Sequence, residues 1–167
     1  EGLKIKDVAI ELENEGLCWV HIDANNPKAA SWLQKEVDYL DKIIIDALLA
    51  DETRPRLVEY EDGSLIILRG VNLNDNSKPE DLVSIRMWID SERIITAQRK
   101  DIKGIKDMEA RIKSGTSFAN AGEFVADLCY ELSGHLQPVV ESLAETTDEI
   151  EEKILEKKSF EIVNPKK

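Results

Sequence analysis

Two histidines, two cysteines and a heavy load of carboxylates are the groups in this sequence able to do chemistry. His21 and His135 are candidates for a general base or a metal ligand, and Cys18 and Cys129 for thiolate chemistry or metal ligation. Spacing narrows these uses. Cys129 and His135 stand six apart, which turns them to different faces of a helix. They are therefore not a local pair of the H-E-x-x-H kind, whose histidines lie four apart. Asp127 and Glu131 do share a face, but carboxylates at that spacing usually form a solvated stripe. His21 reads as the end of a strand. There is no G-x-S-x-G elbow, and neither cysteine adjoins a histidine, so no nucleophilic hydrolase is spelled out. The glycines of "SGTSFANAGE" fit neither a Walker pattern nor Gly-x-Gly-x-x-Gly, so that loop reads as a connector capping the next helix.

Between Glu141 and Glu156 lie Glu145, Asp148, Glu149, Glu151 and Glu152, against Lys153 alone. The ordinary reading is the solvated face of a helix. The sharper one is a negative field that gathers cations near a conduit. The candidate metal ligands are thus Glu145, Asp148, Glu149 and Glu152, with His135 and Cys129, and spacing alone defines no set among them. Composition points the same way. Thirty-four acidic residues against 22 basic give a formal charge of −12, which opposes nucleic acid and anionic lipid and suits cations.

These groups must be positioned by one domain, residues 1–167, large enough to bury roughly 70% of its unfolded surface without a disulfide or metal staple. The distant cysteines form no C-x-x-C pair and read as small core residues in a reducing cytosol. "EGLKIKDVAIE" lacks the apolar core of a secretory leader, and "KIIIDALLAD" falls far short of the roughly 20 apolar residues a membrane span needs.

Strands are expected over residues 4–12 and over "LCWVHI" at 17–22. Asn26 is the N-cap of a helix, with Pro27 in its first turn. "VDYLDKIIIDALLAD" places Leu40, Ile44, Ala47 and Leu48 on one helical face, and Thr53-Arg54-Pro55 switches the chain from helix to strand. "RLVEY" and "SLIILRG" form a hairpin in which Gly63 supplies positive φ. "DLVSIRMWID" alternates, with Val83, Ile85, Met87 and Ile89 inward and Ser84, Arg86 and Trp88 outward, and "RIITAQR" returns beside it. Ile105, Met108 and Ile112 then line a helix stopped by Gly115. From Ala119 a heptad-like seam runs through Val125, Leu128, Leu132, Leu136, Val139, Leu143, Thr147, Ile150 and Ile154, with a kink or break expected near Gly134 and Pro138 and fraying over the last residues. Together these predict an α+β fold, an αβα sandwich with a largely antiparallel mixed sheet and long C-terminal helices.

"DALLADETRPRLVEYEDGSLIILRGVN", together with "WVHID", "ASWL", "KPEDLVSIRMWID", "ITAQRK", "SGTSFANAGEFVADLCYEL" and "EIEEKILE" in the same order, resembles the CorA-type metal-ion transporters, specifically the zinc-transporting ZntB branch. Thr53-Arg54-Pro55-Arg56 is the most specific run. The resemblance implies the N-terminal domain on the cytoplasmic side of a bacterial inner-membrane homopentamer. A stalk helix and two transmembrane helices complete that family's subunit, and the stalks form an acidic funnel. It implies Zn2+ as the transported or weakly bound ion, no cofactor and no enzymatic activity. It also implies that residues 1–167 are an excised domain that does not transport alone and is a monomer or dimer by itself. The family's pore triplet follows a membrane helix, whereas Gly70-Val71-Asn72 here follows a strand and reads as a strand end. Two alternatives stay open: a stand-alone cytosolic α/β ligand-binding or scaffold domain, and a metal-assisted hydrolase that gathers His21 or His135 with carboxylates.

Overall fold

A computed structural model describes residues 16–162, apart from residues 38, 52, 79 and 80. The strand expected over residues 4–12 lies outside the described residues. β1 (Cys18–Asp23) turns into α1 (Pro27–Glu36). Asn26 caps that helix as its sequence predicts, its side-chain oxygen accepting from the Lys28 amide at 3.0 Å. α2 (Lys42–Leu49) buries Ile44, Ile45, Ala47 and Leu48, while Leu40 packs into the same core from just ahead of the helix. β2 (Arg56–Tyr60) starts directly after Pro55, so the Thr53-Arg54-Pro55 run is the switch its chemistry demands. β3 (Gly63–Gly70), β4 (Val83–Ile89) and β5 (Arg93–Gln98) follow, then α3 (Lys103–Lys113) and α4 (Ala121–Ile162).

The strands form one mixed sheet in the order β1-β5-β4-β3-β2. β1 runs parallel to β5, with His21 opposite Thr96, and the other three pairings are antiparallel. α1 and α2 cover one face, packing Trp32, Leu33, Ile44 and Leu48 on Leu65, Trp88, Ile95 and Ala97. α3 and α4 cover the other, packing Ile105, Met108, Phe124, Leu128 and Leu132 on Ile85, Met87 and Ile94. This is the expected αβα sandwich.

Covering both faces changes the meaning of β4. Its alternation suggests that Arg86 and Trp88 face solvent, yet they are only 2% and 3% exposed. They lie beneath the first helical layer, where a strand with two covered faces buries both of its residue sets. Gly63 also serves a different purpose from the one expected. Its backbone is not left-handed. A β-carbon there would collide with the Ile89 carbonyl oxygen and lie 2.6 Å from the Trp88 ring, so the glycine is needed for close approach. Gly115, at φ +105°, does end α3 in the left-handed region.

α4 runs without a break through Pro138 to Ile162, so the expected break does not occur and residues 159–162 are helical, while residues 163–167 lie outside the described residues. A proline ring crowds the carbonyl four residues back. Here that residue is Gly134, which has no side chain and no atom within 4 Å of where a β-carbon would sit. The backbone has room to adjust.

Candidate metal centre

α3 and α4 pack antiparallel, burying Ile105 and Met108 against Leu128 and Leu132. Asp107 therefore sits on the flank of α3, facing Glu131 and His135 on the flank of α4. The ligand atoms of Asp107, Glu131 and His135 all lie within 4.8 Å of one another, and all three residues are half-buried. His135 Nε2 is 2.8 Å from Asp107 Oδ2. One turn further along, the Arg111 guanidinium donates to Asp127 and, at 3.0 Å, to Glu131. Lys103 Nζ stands 3.8 Å from the other Asp107 oxygen.

One imidazole nitrogen and two carboxylates, with a fourth position left for water, form a donor set suited to zinc. The surroundings limit its strength. Asp107, Asp127 and Glu131 are opposed by Lys103 and Arg111, leaving about one net negative charge to attract a divalent ion. A metal would also have to replace the proton between His135 and Asp107 and compete with Arg111 for Glu131.

Of the six candidate metal ligands named from the sequence, only His135 joins this group. Cys129 is half-buried on another face of α4, and burial pushes its thiol above the ordinary range, away from the thiolate form that ligates metal. Glu145, Asp148, Glu149 and Glu152 are exposed further along α4, where Glu149 meets Lys153 at 3.5 Å. Asp127 and Glu131 are not a solvated stripe, since α3 brings Arg111 onto both. Asp107 was not legible as a partner, because it is 28 residues from His135. Glu131 and His135 did carry a signal: they are four apart, the spacing that puts two ligands on one helical face.

His21 lies apart from this group. Its Nδ1 is 2.8 Å from Thr96 Oγ1, which also accepts from Trp19 Nε1 at 2.8 Å. Burial lowers the His21 pKa, against opposing pulls from Glu109, Asp23 and Asp101. The imidazole is thus held neutral as a hydrogen-bonded core group. The two histidines share no partner among the described residues; His135 stands with the carboxylates Asp107 and Glu131, the gathering a metal-assisted hydrolase would require, whereas His21 does not.

Residues 14–164 match the family model described as CorA-like Mg2+ transporter protein. The chain belongs to the CorA-like transporter family. It is 31% identical over 166 residues to the zinc transport protein ZntB of Cronobacter sakazakii, covering 99% of this chain and 49% of that one. The chain spans about half the length of the curated relatives it matches. Among solved structures it resembles full-length CmaX, with a TM-score of 0.73 and 33% identity over 80% of this chain and 41% of that one. It also resembles the ZntB cytoplasmic domain from Vibrio parahaemolyticus, with a TM-score of 0.72 and 25% identity over 81% of this chain and 55% of that one. Within this CorA-like fold, Gly70 ends β3, and Val71 and Asn72 are buried just beyond it, where Asn72 Oδ1 accepts from Asn74 Nδ2 at 2.7 Å. Here the triplet ends a strand. No helix among the described residues is long and apolar enough to cross a membrane.

Proposed function

We propose that this chain is the cytoplasmic domain of a zinc-transporting CorA-like protein, and that α4 lines an acidic funnel formed by five copies. The observation that carries the proposal is the state of α4. Its apolar seam continues through Leu136, Leu143, Ile150 and Ile154, which are 43–58% exposed. A heptad-like stripe is the surface by which a helix packs lengthwise on another helix, and the partner helix is supplied by another copy. The carboxylates on the remaining surface of α4, Glu145, Asp148, Glu149 and Glu152, then face the ion path and raise the local cation concentration.

The Asp107, Glu131 and His135 group extends this reading to metal sensing. A divalent ion binding there would exchange the Arg111 and Lys103 contacts for metal ligation and bias how α3 sits on α4. That bias requires different metal affinities in the two arrangements.

Cysteines placed at Leu143 or Ile150 test the assembly. In cells producing the whole protein they should cross-link chain to chain in ladders of up to five, and ladders ending at dimers would refute the funnel. Zinc titration by calorimetry tests the metal site. Weak heat should appear in wild type and disappear in His135→Ala and Asp107→Asn. Equal heat in wild type and both variants would remove the site.

A further inference from the structure

In a chain of charge −12, one cavity is strongly cationic. It has a volume of about 870 Å3 and opens at the carboxyl ends of β1, β3 and β5, beside the last turn of α2. Arg54, Arg56, Arg69, Arg86, Arg99 and Lys100 line it, against a single lining carboxylate among the described residues, Asp51. The arginines are held in place mainly by neutral groups. Arg99 donates to the Leu49 and Ala50 carbonyls at 2.6 and 3.3 Å, Arg86 to the Asp51 carbonyl at 3.2 Å, and Arg69 to the Thr53 carbonyl at 2.6 Å. Carbonyl oxygens at the end of a helix orient a guanidinium without cancelling its charge. The one ion pair among the described lining residues, Arg99 with Asp51 at 2.9 Å, uses a carboxylate whose side chain is 83% exposed.

Arg86 is the informative member. It is 2% exposed, yet its Nε has no hydrogen-bond partner among the described residues. Burial, and then the Arg99 charge beside it, push its guanidinium below the ordinary range. A buried donor left unpaired beside a second like charge is costly unless something supplies an acceptor.

We propose that this cavity binds a free oligophosphate, a di- or triphosphate group whose oxygens accept from Arg86 and from Arg54 and Arg56 at the rim. Guanidinium forks match phosphate oxygens two at a time. Six cations spread around one cavity suit a ligand carrying several charges over several ångströms better than a single inorganic ion. Among the described residues no aromatic ring lines the cavity and none offers a platform for a nucleobase, so the phosphates are the recognised part.

The test is calorimetric titration of the purified chain with tripolyphosphate, pyrophosphate and orthophosphate. Tripolyphosphate should bind about tenfold or more tightly than orthophosphate, with affinity falling steeply as salt rises. Arg86→Gln should abolish binding. Because that variant removes a buried group on which folding also depends, the exposed pair Arg54→Gln/Arg56→Gln is the second arm. It should weaken tripolyphosphate binding about tenfold while leaving the ligand-free melting temperature unchanged. Three results would each overturn the proposal: no tripolyphosphate heat at millimolar concentration, equal affinity in wild type and the double variant, or capture by phosphatidylglycerol vesicles with no response to tripolyphosphate. The last would assign the arginines to lipid headgroups. Altered mass in solution for the double variant, with no phosphate heat, would assign them to contact between copies and equally reject the proposal.

Discussion

The two halves of α4 share one sequence pattern and have opposite fates. Over Ala121–Leu132 the apolar positions Phe124, Leu128 and Leu132 are buried against the sheet and α3. From Val140 to Glu156 every residue is exposed, although Leu143, Ile150 and Ile154 continue the same seam. Periodicity shows that a helix has a face to bury and is silent on whether the partner belongs to the same chain. The first half is part of a fold. The second is a helix made stable by its continuity with the first, with its apolar stripe uncovered.

The largest effect should come from the covered half. Leu128→Ala leaves a cavity at a fully buried site and should cost about 2–5 kcal/mol in chemical denaturation, whereas Leu143→Ala should stay within about 0.5 kcal/mol. Equal costs would mean that the distal half is packed within one chain. Hydrogen exchange should show the same division. Amides of residues 124–132 should open only with global unfolding, while those of 143–156 exchange through local opening at least about a hundredfold faster. A third comparison separates folding from assembly. With the Leu143→Cys substitution retained, the double substitution Ile150→Glu/Ile154→Glu should leave the denaturation midpoint within about 0.5 kcal/mol of its parent and abolish the cross-linked ladders. Loss of folding instead would erase the distinction between the halves.

The smallest effect concerns acid. His21 has a folded pKa depressed below its ordinary 6.5 by burial, so the unfolded chain binds its proton more readily. The stability it contributes is intact above about pH 6.5 and is lost as pH falls from there through the folded value. His21 shares Thr96 with Trp19, and Trp19 packs on Phe124 at 4.9 Å between ring centroids. The covered half of α4 should therefore be the part that loosens. Thermal melts from pH 7.5 to 5 should show a shallower acid slope in His21→Asn, which keeps a short polar acceptor without a titrating ring. An unchanged slope would place the acid sensitivity elsewhere.

Local chemistry was legible in the sequence, and tertiary covering was not. The Asn26 cap, the Pro55 switch, the β2–β3 hairpin and the Gly115 stop are set by a few adjacent residues and stand where the sequence puts them. The side of β4 that carries Arg86 and Trp88 was misread because alternation cannot report a second helical layer contributed by residues 27–49. Gly63 was correctly read as necessary, but for backbone conformation, whereas the need comes from a Trp88 ring on another strand. The candidate metal group was half visible in the Glu131 and His135 spacing. Its third member, Asp107, arrives only when α3 folds back along α4. The arginine cavity was hidden for the same reason: its charges come from four separate stretches of a chain that is acidic as a whole.

An unbroken α4 also has a mechanical consequence. From Leu136 to Ile162 the helix extends about 40 Å at its normal rise. If its base against α3 tilted by about 5°, the far end would sweep about 3.5 Å, somewhat more than the width of a water molecule. The Arg111, Asp107 and His135 contacts sit at the fulcrum of that lever, where a small local rearrangement is converted into a larger displacement at a distance.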